Sequence, residues 1–299
     1  MIESCLNPNL ASEITLQPVR RHKVDAAIFF SDIIVPLVLA GVDIDITPGV
    51  GPTTPRPYDT AERIEELVSH KLTEAQLSPI TEAVSLTVAQ LNTTPLIGFG
   101  GAPFTLAAYL VEGKPSRDHL SARALMHTDP VSWNKLTFWA AELTGAFLRA
   151  QVLAGASAVQ LFDSWAGGLS KFDYAKFVAP ASEATLATVS DLPVRKIHFG
   201  VGTQHLLPEM KSIGVDAMGV DYRTDLAEAN RILGKQTALQ GNIDPALLRA
   251  PWPVLKAHVL EIVEKGRSTV GHVLNLGHGV PPNTNPQVLT DIVDLVHNL

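Results

Sequence analysis

The chain has 299 residues, 46% hydrophobic and 18% charged, a balance that supplies a sizeable core and excludes disorder as the main state. Thirty acidic against 23 basic residues give a net charge of −7, so the broad basic footprint of a nucleic-acid-binding protein is missing. Cys5 is the single cysteine, which excludes a disulfide framework and any multi-cysteine metal or iron–sulfur site and points to a cytoplasmic chain.

Taken in chain order, Asn7-Pro8 opens a first helix, an N-cap residue followed by proline at the first helical position, with Leu10, Ile14 and Val19 on one face. The stretch from Ala26 to Val42 is the most membrane-like, but Ser31, Asp32 and Pro36 interrupt it. An aspartate at mid-bilayer costs about 2.5–3.5 kcal/mol on insertion scales. The stretch reads instead as a strand, Ala26–Phe30, running into a helix, and no membrane partner is expected. Met1-Ile2-Glu3-Ser4 lacks the basic-then-apolar pattern of a signal peptide.

The Pro/Gly cluster from Pro48 to Pro57 reads as a long loop, and Ser78-Pro79 as the opening of the next helix. Further strands are expected at Leu96–Phe99, Ala158–Phe162, Val194–Phe199, Ala217–Val220, Thr237–Gln240 and His272–Leu276. The longest helix opens at Asp129-Pro130 and turns Trp133, Leu136, Leu143 and Phe147 inward. No repeat, charge block or low-complexity linker divides the chain, so residues 1–299 read as a single barrel domain.

Strands alternating with helices imply a parallel sheet wrapped by helices. A doubly wound nucleotide-binding sheet would follow its first strand with a glycine-rich turn. Here the turn is Phe30-Ser31-Asp32, and Gly98-Phe99-Gly100-Gly101-Ala102-Pro103 lacks the GxGxxG spacing. The expected fold is α/β, a (β/α)8 TIM-type barrel. Seven strands are counted against the eight of a complete barrel, so either one strand escapes the pattern or the first strand is absent from this chain.

In such barrels the active site lies at the carboxyl ends of the strands. Those ends carry Ser31 and Asp32, Gly100 and Gly101, Asp163 and Ser164, His198, Asp221 to Arg223, Asn242 and Asp244, and His278. Asp32, Ser164 and Asp244 also suit helix N-caps, and His278 between glycines suits a satisfied loop histidine. The recurrence of polar side chains at nearly every strand end is what points to an enzyme. There is no HExxH, no His-x-His and no GxSxG, so no metal and no cofactor are expected.

Several of these segments together resemble the uroporphyrinogen decarboxylase family. They are Ile14-Thr15-Leu16-Gln17-Pro18 leading to Phe30-Ser31-Asp32-Ile33, and Gly101-Ala102-Pro103-Phe104-Thr105-Leu106 leading to Tyr109-Leu110-Val111-Glu112-Gly113. Gln160-Leu161-Phe162-Asp163-Ser164-Trp165-Ala166-Gly167, Gln240-Gly241-Asn242-Ile243-Asp244-Pro245 and Asn275-Leu276-Gly277-His278-Gly279 complete the set. The resemblance implies a cofactor-free decarboxylase on a (β/α)8 barrel, forming homodimers and acting on a small-molecule tetrapyrrole. It makes Asp32 the carboxylate that binds the pyrrole N–H groups, Tyr109 the phenol beside it, and Ser164 and His278 contacts to substrate carboxylates.

The family's first strand ends in Arg-Gln-Ala-Gly-Arg, whose arginines engage substrate carboxylates; this chain has no such motif and reads as starting just past it. One alternative is therefore a barrel that binds tetrapyrrole without turning it over. Another is a zinc-dependent corrinoid or thiol methyltransferase of the same superfamily, which uses a His-x-Cys motif. The comparable stretch here is His198-Phe199-Gly200.

Overall fold

The computed structural model describes residues 1–299. Its strands are β1 (Ala27–Ile28), the short antiparallel pair β2 (Asp45–Thr47) and β3 (Gly51–Thr53), β4 (Leu96–Gly101), β5 (Ala158–Asp163), β6 (Arg195–Gly200), β7 (Ala217–Gly219), β8 (Ala238–Gln240) and β9 (His272–Val273). Seven of them form one curled parallel sheet in the order β1-β4-β5-β6-β7-β8-β9. All seven lie where the alternation places them. Only β9 departs by more than two residues at an end; it stops at Val273, and Leu276 makes an isolated parallel bridge to Ile243.

The central strands are buried on both faces, which explains their near-continuous apolar runs. Because side chains alternate along a strand, Phe99, Phe162 and Phe199 point into the ring and meet edge to face, at 5.3 and 5.7 Å between centroids. Val159 and Leu161 point outward and pack with Leu148 and Leu186 beneath the helices.

The two end strands of the sheet, β1 and β9, do not pair with each other. The helical layer nevertheless closes across that seam. The helix Pro8–His22 meets the helix Pro286–His297 through a 2.8 Å hydrogen bond between His22 Nδ1 and Thr290 Oγ1, and His297 Nε2 lies 3.1 Å from Asp25. The architecture is a TIM-type wall of seven strands, as expected.

Three local expectations need correction. The helix opened by Asn7-Pro8 does start at Pro8, with Asn7 Oδ1 accepting from Leu10 N at 3.1 Å, but a short helix, Ile2–Leu6, precedes it, and Leu10 is 42% exposed. The buried face is Ala11, Ser12, Thr15 and Leu16. Thr15 tolerates burial because its hydroxyl donates to Ala11 O at 2.7 Å and accepts from Phe30 N at 2.9 Å. Ser78-Pro79 opens nothing: Thr73 caps the helix Glu74–Leu91 in a reciprocal box with Gln76, and Pro79 lies inside. Proline there forfeits one intrahelical bond, on a turn whose Ala75 and Ser78 face solvent. Finally, the Pro48–Pro57 loop contains part of the β2–β3 hairpin, pinned by a 2.8 Å hydrogen bond between Thr47 and Thr53 hydroxyls.

The helix Pro130–Leu153, capped by Asp129, buries Trp133, Leu136, Leu143 and Phe147 as the spacing predicts. It also supplies Gln151, whose side chain accepts from Phe99 N and donates to Phe99 O, both at 3.0 Å. β1 pairs with β4 only as far as Ile28 opposite Ile97, so this amide serves the peptide groups that lie beyond. Gln151→Leu should leave both Phe99 groups buried and unpaired, at about 1–3 kcal/mol each. Urea denaturation is expected to show a loss of about 2–6 kcal/mol on those magnitudes. A loss below about 1 kcal/mol would show that the strand end does not depend on this amide.

Candidate active site

At the carboxyl ends of β1, β4 and β5 lies a cavity of about 520 Å³ whose walls include Thr15, Phe30, Asp32, Phe99, Phe162 and Ser164. Asp32 reaches it because the chain leaves the sheet after Ile28. Thr15 fixes Phe30 N, and the Asp32 Oδ1 accepts from Ile34 N at 3.0 Å. The N-cap alternative is thus half right. One carboxylate oxygen shapes the turn before the helix Val35–Leu39, and the other makes no hydrogen bond within the chain. Burial raises the Asp32 carboxyl above the ordinary aspartate range, and the Ile34 N–H draws part of that back.

Tyr109 rides on the helix Pro103–Glu112, which starts directly after β4 with proline at its first position. Its ring stands edge-on to Trp165, 5.7 Å between centroids. Burial pushes the phenol upward, a hydrogen bond with Trp165 offsets part, and the Asp32 charge pushes the same way as burial. Tyr109 is therefore a protonated donor at neutral pH.

Ser164 is the first residue after β5 and faces the cavity, in register with Phe162. It caps no helix. Asp163, one residue earlier, points the other way, into the layer between sheet and helices. Its Oδ1 accepts from Thr105 Oγ1 at 2.9 Å, and its Oδ2 lies 3.8 Å from His198 Nε2. Asp163 and His198, both strand-end candidates in the sequence, are completely buried there and do not line the cavity. The Thr105–Asp163 bond has a consequence for the site. Thr105 lies one turn before Tyr109, and Asp163 adjoins Ser164, so one hydrogen bond ties the two elements that carry them. Polarity alone does not reveal Thr105 or Thr15; the available signal is a threonine on the buried side of an amphipathic helix.

The remaining strand ends brace the rim. Asp221 accepts from Gly202 N at 2.9 Å and from Thr224 Oγ1 at 3.1 Å. Asn242 Nδ2 donates to Asp221 O and Thr224 O at 3.0 and 2.6 Å. Asp244 is an N-cap, accepting from Ala246 N at 2.9 Å. His278 is exposed in the loop after β9, at the same end of the parallel sheet as Ser164 but outside the cavity wall. The backbone of Gly277 packs against that of Tyr222 with no room for a side chain between them. Asp32 and Ser164 thus line one cavity, Tyr109 stands close enough to feel the Asp32 charge but outside the cavity wall, and His278 lies on the rim.

The His-x-Cys alternative finds no footing. A Cβ at Gly200 would stand 2.5 Å from Thr203 Cγ2, and His198 faces Asp163 rather than the cavity. No three His, Cys, Asp or Glu side chains are grouped to hold a metal ion.

The model of the family described as uroporphyrinogen decarboxylase matches residues 1–299. A uroporphyrinogen decarboxylase of Arthrobacter sp. (strain FB24) is 64% identical over 299 residues, spanning 100% of this chain and 86% of its own. That of Leifsonia xyli subsp. xyli is 57% identical, spanning 99% of this chain and 84% of its own. Among solved structures, a methyltransferase from Methanosarcina mazei superposes with a TM-score of 0.82 at 18% identity, covering 99% of this chain and 87% of its own. At that identity the likeness concerns the fold.

Asp32 supplies a stability test independent of any reaction. Its folded carboxyl holds a proton to higher pH than the ordinary value of 3.8. Folding is therefore favoured most below that value, and the increment is lost as pH rises through the folded one. Asp32→Asn, uncharged throughout, should melt above the wild type at pH 7, with the gap closing as pH falls through about 4. Thermal melts at both pH values measure it. A variant that melts lower at pH 7 would mean that the bond to Ile34 outweighs desolvation.

Proposed function

The chain belongs to the uroporphyrinogen decarboxylase family, and we propose that it decarboxylates the four acetate side chains of uroporphyrinogen III to give coproporphyrinogen III in tetrapyrrole biosynthesis. The observation that carries this reading is Asp32, a desolvated carboxylate with one free oxygen, in a cavity shared with Ser164 and flanked by Tyr109.

Breaking the bond between an acetate methylene and its carboxyl leaves an electron pair that needs an acceptor. Protonating the adjacent pyrrole carbon makes the ring cationic. The pair then flows into the ring as CO₂ departs, the methylene carbon takes up a proton, and the ring carbon gives one back. One proton is consumed for each CO₂ released, and the substrate itself is the electron sink. A carboxylate is acceptor-only, with about four lone-pair sites, so Asp32 suits the N–H groups of a domed macrocycle. Its charge stabilises the ring cation, more strongly in a dry cavity than in water. In this reading the Tyr109 phenol donates beside that centre, and Ser164 and His278 bind side-chain carboxylates.

The same reading implies a homodimer acting in the cytoplasm as one barrel domain; no helix is long and apolar enough to cross a membrane. Light scattering on the eluted protein tests the dimer.

Asp32→Asn should fold yet lose about 100- to 1,000-fold in turnover, the usual cost of removing one well-placed electrostatic stabiliser. Coproporphyrinogen formation by folded protein measures it, and a fully active variant would end the catalytic assignment. A wild-type chain that binds tetrapyrrole and releases no CO₂ would favour the binding-only alternative. Activity should also survive exhaustive dialysis against a chelator. A loss that zinc restores would favour the methyltransferase chemistry instead.

A further inference from the structure

A substrate with eight carboxylates meets a chain of net charge −7, and none of Asp32, Tyr109 and Ser164 is a cation. Among the four residues that follow each of the seven parallel strands, Arg223, after β7, is the one lysine or arginine. Its mount is rigid. Thr224 N donates to Asp221 O at 3.2 Å, and Asn242 clamps both ends of the Asp221–Thr224 turn with bonds of 3.0 and 2.6 Å.

The nearby acids are already engaged. Asp221 accepts from Gly202 N and Thr224 Oγ1, and Asp225 pairs with Lys265 Nζ at 2.7 Å. The Arg223 guanidinium is exposed and lies 5.3 Å from the Tyr222 ring centroid, its one partner in the chain. Its fork of N–H donors is therefore free for a carboxylate.

Its surroundings put it between the two turns that carry Ser164 and His278. On one flank, Arg223 Nη1 lies 3.5 Å from where a Cβ on Gly202 would stand, and Gly167, three residues after Ser164, packs against the Val201 and Gly202 carbonyls. On the other flank, Gly277 packs on the Tyr222 backbone and places His278 next along the rim.

We propose that Arg223 binds a propionate carboxylate of the tetrapyrrole, an inference that rests on the decarboxylase reading. A propionate has two methylenes, so it reaches an exposed rim cation while the pyrrole nitrogens stay over Asp32. It is also unchanged by the reaction, so the same contact holds substrate and product. Charge-assisted carboxylate contacts of this kind are worth about tenfold or more in binding.

The test compares wild type, Arg223→Ala and Arg223→Lys by steady-state kinetics with uroporphyrinogen III and equilibrium binding of coproporphyrinogen III. Arg223→Ala should raise KM and the coproporphyrinogen Kd by the same factor, about tenfold, with kcat within about twofold and an unchanged melting temperature. Lysine should recover part of the loss, since it keeps the charge without the fork. An alanine variant with wild-type KM and Kd overturns the proposal. A raised KM with an unchanged coproporphyrinogen Kd overturns it too, because the contact would then be to an acetate. If the wild type binds coproporphyrinogen without decarboxylating uroporphyrinogen, the decarboxylase reading fails, and the Kd comparison still decides Arg223. A wild type that does neither overturns both.

Discussion

A backbone that leaves a sheet strands the peptide groups on either side of its exit, and buried groups of that kind must find new partners. β1 leaves after Ile28, and three side chains take over. Thr15 accepts from Phe30 N, Gln151 serves both Phe99 groups, and Asp32 accepts from Ile34 N. The exit turns Ser31 and Asp32 toward the ring interior instead of continuing as wall. Each of the three comes from a different place: the helix Pro8–His22, the longest helix, and the turn itself. The cavity is therefore a product of packing between distant segments.

β5 shows a second constraint. Alternation sends Phe162 and Ser164 inward and Asp163 outward, so a polar strand end must place one polar group among helices. Asp163 is buried with one oxygen on Thr105 and the other facing His198 without a hydrogen bond. A buried carboxylate so incompletely partnered is costly. What it secures is a fixed relation between the helix that carries Tyr109 and the turn that carries Ser164. Trp165 reinforces the same relation, since its ring packs on Tyr109 and its backbone N–H donates to Thr105 Oγ1 at 3.4 Å.

The parallel wall was legible from the sequence because its strands are short, mostly apolar runs set between helical patterns, with the central ones buried on both faces, a signal that survives without tertiary context. Helix starts were legible only where cap and proline coincide with a first turn, as at Asn7-Pro8 and Asp129-Pro130. Ser78-Pro79 has the same letters, but Thr73 and Gln76 cap the helix five residues earlier. The helix Pro8–His22 misled for another reason: its buried face is mostly small or polar, and apolar counting follows Leu10 to the solvent side. Asp32 and Ser164 could be read from their position at strand ends. Asp163 and His198 could not be separated from them, because one residue of register decides which face of the wall a side chain joins.

Charge is the last step. An acidic chain proposed to hold a polyanion needs few cations, provided they stand at the mouth and are not neutralised locally. Most basic groups fail one condition or the other. Arg149, Arg195, Arg231 and Arg267 are paired with carboxylates on helices or at strand starts, where they act on stability at most modestly. At the strand ends the neighbouring acids are drawn into bracing, Asp221 by Gly202 and Asp225 by Lys265, and this leaves the guanidinium between them unneutralised. The rigidity of the rim and the availability of its cation thus have one cause: the carboxylates that stiffen the loops are the ones that would otherwise have quenched Arg223.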